Sequence, residues 1–303
     1  AEGREMNAGR APVYCLYGDG TGNGVMWSGG DGDVRCWKWV GADQSKLELK
    51  RTIVPPNKRF ASGMQSSHPE TNALSSDDGG KIFGACGNGS AFGWDAETGQ
   101  LCETFQSIDS TDYMLSIHKD AKRPDLLVTG SYQGVVSFWD TRSGEATRSI
   151  VPTDLVTSKR NRVKGFKGIN AIQADAESNF LMVADGAGFL HSFHIASGLG
   201  FASSRQTDCV VEHLLPRPGH FLAACSNCPT VKKFDLKCAE VGPPLATSNF
   251  SNYAMAQDPK QTMIFVAGSN RHNPEPKKAS ILSPIDVFVC NSVPSFTIEA
   301  TPV

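Results

Sequence analysis

Cys225 and Cys228 stand three apart as Cys-x-x-Cys. That spacing supplies half of a structural zinc site or a dithiol redox pair, because two thiolates so placed can close on one ion or on each other. A closed zinc site needs four ligands, and no second pair follows at comparable spacing; the nearest extra donors are His220 and Cys238. The expectation is a turn between two strands, without metal or redox chemistry. The seven histidines add only His191-x-x-His194, which on a β-strand places the two rings on opposite faces. Asp95, Asp140 and Asp235 each follow an aromatic residue and are far apart in the chain, as carboxylates that cap turns and accept backbone amides are. No Gly-x-Ser-x-Gly elbow and no Gly-Lys-Ser/Thr loop occurs, and "GDGTGNG" (18–24) reads as a hairpin loop between two strands. Catalytic residues, metal and cofactor are accordingly all assigned as none.

One stretch does point to binding. "TSKRNRVKGFKG" (157–168) gathers Lys159, Arg160, Arg162, Lys164 and Lys167 around Phe166. Cations at that density hold an acidic partner segment or an RNA backbone, with a strength that falls as salt rises; the competing reading is a solvated loop. The chain as a whole gives this loop no help. Lys+Arg 29 against Asp+Glu 31 leaves a formal charge of -2, so any contact with nucleic acid is local or indirect. No apolar run approaches the roughly 20 residues of a membrane span, and no membrane partner is expected. "AEGREMNAGRAP" lacks an apolar signal segment, and the nine scattered cysteines suit buried thiols in a reducing compartment. A soluble protein of the nucleus or cytosol is the expectation.

The elements that carry these groups repeat. "KIFGACGNGSAFGWDAETGQLCETF" (81–105) and "LLVTGSYQGVVSFWDTRSGEATRSI" (126–150) place Gly89 and Gly134, Trp94-Asp95 and Trp139-Asp140, and Gly99 and Gly144 at the same offsets. Each copy reads as three short apolar runs joined by tight turns. Degraded copies carry Trp37, Phe193, Phe234 and Phe288 at the Trp position, giving six anchors spaced by 57, 45, 54, 41 and 54 residues. Propeller repeats recur about every 40–45 residues. Further apolar runs at 13–17, 71–75, 113–117, 170–174, 210–215 and 253–256 supply an innermost strand before each anchor region. A four-stranded sheet with two apolar faces cannot bury either alone, so it stacks on its copies, with the anchor between neighbours. The fold class is therefore all-β, a β-propeller of six visible blades, with a β-sandwich as the competing architecture. A single domain spans 1–303, with insertions at 151–168 and 269–284, the second Pro-rich and expected to be poorly ordered. Seven is the common blade number, and the chain opens on an innermost strand, so a missing N-terminal blade is expected, with a six-bladed ring as the alternative.

These patterns resemble the WD-repeat propellers. More narrowly, "DGDVRCWKW" (31–39), "PETNALSSD" (69–77), "GWDAETGQLCETF" (93–105), "GSYQGVVSFWDTRSGE" (130–145) and "KKFDL" (232–236) are similar to the family of the sixth subunit of the THO complex, from about Ala11 to Val289. Trp37-Lys38-Trp39 and the stretch Pro69 to Ala73 are its more distinctive marks. The resemblance implies a non-catalytic nuclear scaffold that binds other THO subunits, through helical or coiled-coil segments, in messenger-RNA packaging and export. It also implies one further blade upstream. "WDTR" (139–142) matches the pattern by which propeller substrate receptors of cullin-based ubiquitin ligases reach their adaptor, with Arg142 as the contact; a turn residue is the plainer reading. A propeller enzyme would need acidic or metal-binding groups on the innermost strands, which offer only Glu212, His118 and His213. The chain departs from the repeat pattern where Ser110 stands near the position of the usual Gly-His and where Asn88 and Gln133 replace the turn Asp. Stability is therefore expected to rest on apolar packing more than on the buried hydrogen-bond network of such repeats.

Overall fold

A computed structural model of the protein describes residues 12–18, 24–40, 46–56, 70–77, 80–106, 112–156, 165–175, 177, 179–195, 197–257, 262–269, 285–289 and 296–298. The chain divides into two compact units, 1–151 and 152–303. The first holds three antiparallel four-stranded sheets: β1 (Val13–Gly18), β2 (Val25–Gly30), β3 (Val34–Val40) and β4 (Lys46–Ile53); β5 (Thr71–Ser76), β6 (Lys81–Cys86), β7 (Ser90–Asp95) and β8 (Leu101–Gln106); and β9 (Met114–Lys119), β10 (Leu126–Ser131), β11 (Val136–Asp140) and β12 (Glu145–Ile150). The second opens with α1 (Pro152–Val156) and continues with β13 (Ile169–Ala174), β14 (Phe180–Asp185), β15 (Phe189–His194) and β16 (Gly200–Gln206); β17 (Val210–Arg217), β18 (His220–Ser226), β19 (Thr230–Asp235) and β20 (Leu245–Ala246); and β21 (Ser251–Gln257), β22 (Met263–Ser269), β23 (Ile285–Val289) and β24 (Phe296–Ile298). Every sheet pairs its strands in chain order. These are six blades of the WD-repeat β-propeller class, and the innermost strands fall on the six expected apolar runs.

The repeated glycines have a backbone cause. Gly134, between β10 and β11, has φ 86°, and Gly144, between β11 and β12, has φ 72°; Gly89 and Gly99 do the same in the second blade at 75° and 74°. Only glycine enters this region without cost, so the offsets survive as the strand lengths drift. In the fifth blade Asn227 (φ 52°) and Cys238 (φ 63°) take up left-handed turn positions, which is why the copy is hard to see in sequence.

Two bulges recur in register. In each innermost strand one residue is skipped against its neighbour: Tyr14, Asn72, Leu115, Asn170, Glu212 and Tyr253. In the first four outer strands another is skipped beside the anchor: Lys50, Cys102, Thr147 and Ala202. A bulge bends the strand and raises its twist, as blade stacking requires.

The core lies between blades. Trp94 packs with Ile82 and Phe92 of its own sheet against Trp27, Val34, Cys36 and Ile53 of the first. Trp139 sits with Met114, Ile117 and Leu127 against Phe83 and Phe105, its ring edge-on to Phe105 at 6.0 Å. In the second unit Phe234 packs with Leu214 and Phe221 against Met182 and Leu190, and Met255, Ile264 and Val266 pack against Leu215, Leu222 and Val231 with Phe288 alongside. Trp37 and Phe193 are buried, whereas Phe288 is only partly so. The buried network is retained more than the sequence suggested. Trp37 Nε1 donates to Ser28 Oγ and Trp139 Nε1 to Thr129 Oγ1, each at 2.9 Å, so the indole-to-hydroxyl half persists in two blades. Ser110 lies outside the described residues.

One register position on the innermost strands differs between blades. Leu74, Ile117, Leu214 and Met255 hold the same register position on their innermost strands, and each packs in the cluster shared with the preceding blade. Leu16 is their counterpart in β1 and is 57% exposed.

Trp94→Ala is expected to lower unfolding free energy by about 3–5 kcal/mol, because it removes a buried ring from between two sheets and leaves a cavity. A denaturant midpoint unchanged from the parent protein would contradict this role.

Candidate binding surfaces

The three post-anchor carboxylates close turns. Asp95 Oδ1 accepts the Thr98 amide at 2.6 Å and its hydroxyl at 2.7 Å. Asp235 Oδ1 accepts the amides of Lys237 and Ala239 at 2.9 and 2.7 Å, and Asp140 Oδ1 accepts that of Arg142 at 2.9 Å. Arg142 folds back on Asp140 in a fork, Nε to Oδ1 at 3.0 Å and Nη2 to Oδ2 at 2.8 Å. The Arg142 side chain, ahead of its backbone amide, pushes the Asp140 carboxyl down to about 2. The guanidinium of the Trp-Asp-x-Arg stretch therefore serves its own turn, while its side chain stays 76% exposed.

The basic insertion is anchored at both ends. Lys159, Arg160, Arg162 and Lys164 lie outside the described residues, as does nearly all of 269–284. Phe166 is 43% exposed and lies against Gly186, where a Cβ would come within 2.2 Å of the ring; Lys167 is half-buried. Thr153, on α1 at the head of the insertion, is buried and donates to Asp185 Oδ2 at 2.6 Å.

That contact belongs to a network which the His-x-x-His spacing did not reveal. Asp185 ends β14, and its Oδ1 accepts the amides of Ala187 (3.1 Å) and Phe189 (2.8 Å). Its Oδ2 faces His191 Nε2 at 3.1 Å, and His191 Nδ1 meets Ser204 Oγ at 3.0 Å. Asp185 and His191 are fully buried, whereas His194, on the opposite face of β15, is partly exposed. Burial pushes the Asp185 carboxyl up, but the hydrogen bonds from His191, Thr153 and the Phe189 amide outweigh it and hold it below the usual range. The faint signal was positional: Asp185 precedes Gly188 by three, as Ser131 precedes Gly134, and both side chains cap the amide that follows the turn.

The innermost strands bring no reactive set together. Asn72 Nδ2 donates to Met114 O at 2.8 Å, stitching the second blade to the third; Asn170 Nδ2 reaches Glu212 Oε2 at 3.2 Å. Burial pushes Glu212 up and His213 down to about 4, which favours the neutral form of each. Cys225 lies in the core, Cys228 bonds the Thr230 hydroxyl at 3.2 Å, and Asn227 between them makes the turn from β18 to β19. Among the described residues no group of three or more His, Cys, Asp or Glu is placed to hold a metal. Among them, too, no helix is long and apolar enough to cross a membrane.

No protein-family profile matches the chain. Among curated proteins it is similar to THO complex subunit 6 of Arabidopsis thaliana, with 28% identity over 195 residues, covering 60% of this chain and 50% of that protein. The chain thus spans about half the length of the curated relative it matches. Among solved structures it is similar to a chain in "Crystal Structure of Mitotic Checkpoint Complex", at TM-score 0.66 and 13% identity, over 85% of this chain and 72% of that one. The second likeness speaks to the propeller fold alone; the first bears out the resemblance to the sixth THO subunit.

Asp185→Asn should destabilise the protein and flatten its acid limb. A carboxyl held low in the folded state adds stability that is full above its unfolded value near 4 and lost as pH falls through the folded one. Unfolding free energy measured from pH 7 to pH 3 should therefore fall less in the variant than in the parent. Parallel curves would show that Asp185 does not couple folding to protons.

Proposed function

We propose that this chain is a non-catalytic scaffold of a THO-type assembly, acting in the nucleus in messenger-RNA packaging and export. The single observation that carries the reading is the 28% identity to THO complex subunit 6 over 195 residues. The physical character of the fold supports it. Rigid blades with bulky cores present fixed rims to partners, and the acidic groups serve turns rather than a reactive centre. The occupants are segments of other THO subunits, helical or coiled-coil, held against rim and edge. RNA is met indirectly or through the basic insertion, whose sequence carries Lys159, Arg160, Arg162, Lys164 and Lys167 along with Phe166.

Residues 1–303 belong in this reading to one propeller domain.

Affinity purification of the tagged protein from nuclear extract tests the reading. Other THO subunits should co-purify, and replacing the five basic residues of the insertion by Gln should weaken RNA recovery in a salt-dependent way. Recovery without any THO subunit would end the scaffold reading; unchanged RNA recovery would end only the part given to the basic insertion.

A further inference from the structure

We propose that the edge of the first unit where β1, β5 and β9 begin is a docking surface for a basic linear segment of a partner protein, with one Lys or Arg side chain entering the cavity beside Trp139. The proposal stands on the first unit's own residues and does not depend on which assembly the protein serves.

Aromatic exposure marks the place. The protein has five tyrosines, and three of them crowd this edge: Tyr14 (48% exposed), Tyr113 (50%) and Tyr132 (55%). Exposed rings gathered on one side of a domain mark interaction sites, whereas single ones need no explanation. Two of the rings are joined through the backbone. The Tyr132 amide donates to Tyr113 O at 2.7 Å. The Tyr113 ring lies over Gly87, where a Cβ would be 3.0 Å from Cδ1 and Cε1 and 3.5 Å from Glu70 Oε2. Gly87 is thus the residue that lets the ring lie flat on the turn. The first blade lies beside this turn, since Cys15 Sγ next to Tyr14 donates to the carbonyl of Thr71 next to Glu70 at 3.6 Å; after desolvation, the charges of Glu70 and Asp31 push the Tyr14 phenol up. Tyr14 is the bulged residue of β1, turned out of the ladder that pairs its neighbours.

A cavity of about 200 Å³ opens between the second and third blades at the same edge. Its wall includes Asp112, Thr129, Ser131, Ser137, Ser149 and Trp139. Asp112 and Ser131 directly precede Tyr113 and Tyr132, so the cavity and the rings share a border. At roughly 30 Å³ per water the space equals about seven waters, the scale of one long side chain rather than one ordered solvent molecule. Asp112 accepts the Gln133 amide at 3.2 and 3.3 Å, Thr129 Oγ1 accepts the Trp139 indole, Ser131 Oγ accepts the Val135 amide, and the Ser137 and Ser149 hydroxyls bond each other; carboxylate and hydroxyl oxygens carry further lone pairs with which to accept from a cation.

Charge selects the occupant. Among the described residues at this edge, Asp31, Asp33, Glu70 and Asp112 face a single cation, Arg35, whose Nη2 is held by Asp33 at 2.9 Å. A ring-bearing, carboxylate-rich edge attracts guanidinium and ammonium groups and repels phosphate, which favours a basic peptide over RNA.

Selection from a phage-displayed library of random peptides on the immobilised protein tests this, followed by anisotropy titration of a labelled selected peptide. The selected sequences should be rich in Arg or Lys. Binding should weaken about tenfold in Tyr113→Ala and in Asp112→Asn, the scale of one cation–π contact or one charge-assisted bond. Tyr132→Ala and Ser149→Phe change exposed positions, the second closing the rim of the cavity, and keep the test decisive if a first variant misfolds. Three results would overturn the proposal: no selected peptide, neutral or acidic selected peptides, or a basic peptide that all four variants bind unchanged. Tighter retention of an oligouridine RNA than of any peptide would overturn it as well.

Discussion

Packing of one blade's bulky third-strand ring against the sheet before it is the constraint from which the other features follow. Trp94 and Trp139 have no solvent-facing alternative, since each is flanked by apolar residues of two sheets and almost fully buried. Such rings contribute several kcal/mol each when buried and leave voids when removed, so neighbouring blades stand or fall together. Turn positions vary more from blade to blade, with Asn88, Gln133, Asn227 and Cys238 standing at them.

Polar order is built on the apolar frame at defined points. Indole donors find Ser28 and Thr129 within their own sheets, and Asn72 crosses to the next innermost strand. Asp185, His191 and Thr153 form a buried polar group in the second unit's first blade, with half-buried Ser204 at its rim, and tie α1 at the start of the insertion to the blade. Every buried oxygen of Asp185 has donors, as a carboxylate in such surroundings requires. An insertion rich in lysine and arginine gains a fixed root.

The two binding regions differ in chemistry because they arise from different elements. The insertion in the second unit is cationic and emerges from a helix and a ring seated on Gly186. The tyrosine edge of the first unit comes from strand starts and turns, where bulges and short loops re-aim side chains that a regular ladder would have buried.

The sequence by itself determined the blades. Short apolar runs, glycines at turn offsets and an aromatic anchor are local signals, and they located six innermost strands and six anchors, because strand, turn and neighbour lie within one repeat. It also read Asp95, Asp140 and Asp235 as turn caps, for the same reason: donor and acceptor are two to four residues apart. What only the tertiary structure decided was proximity across repeats. Asn72 reaches Met114 O over 42 residues, and Thr153 reaches Asp185 over 32. Their meeting depends on where each bulge falls and how each sheet is set against the next, and no spacing within a single repeat encodes that register.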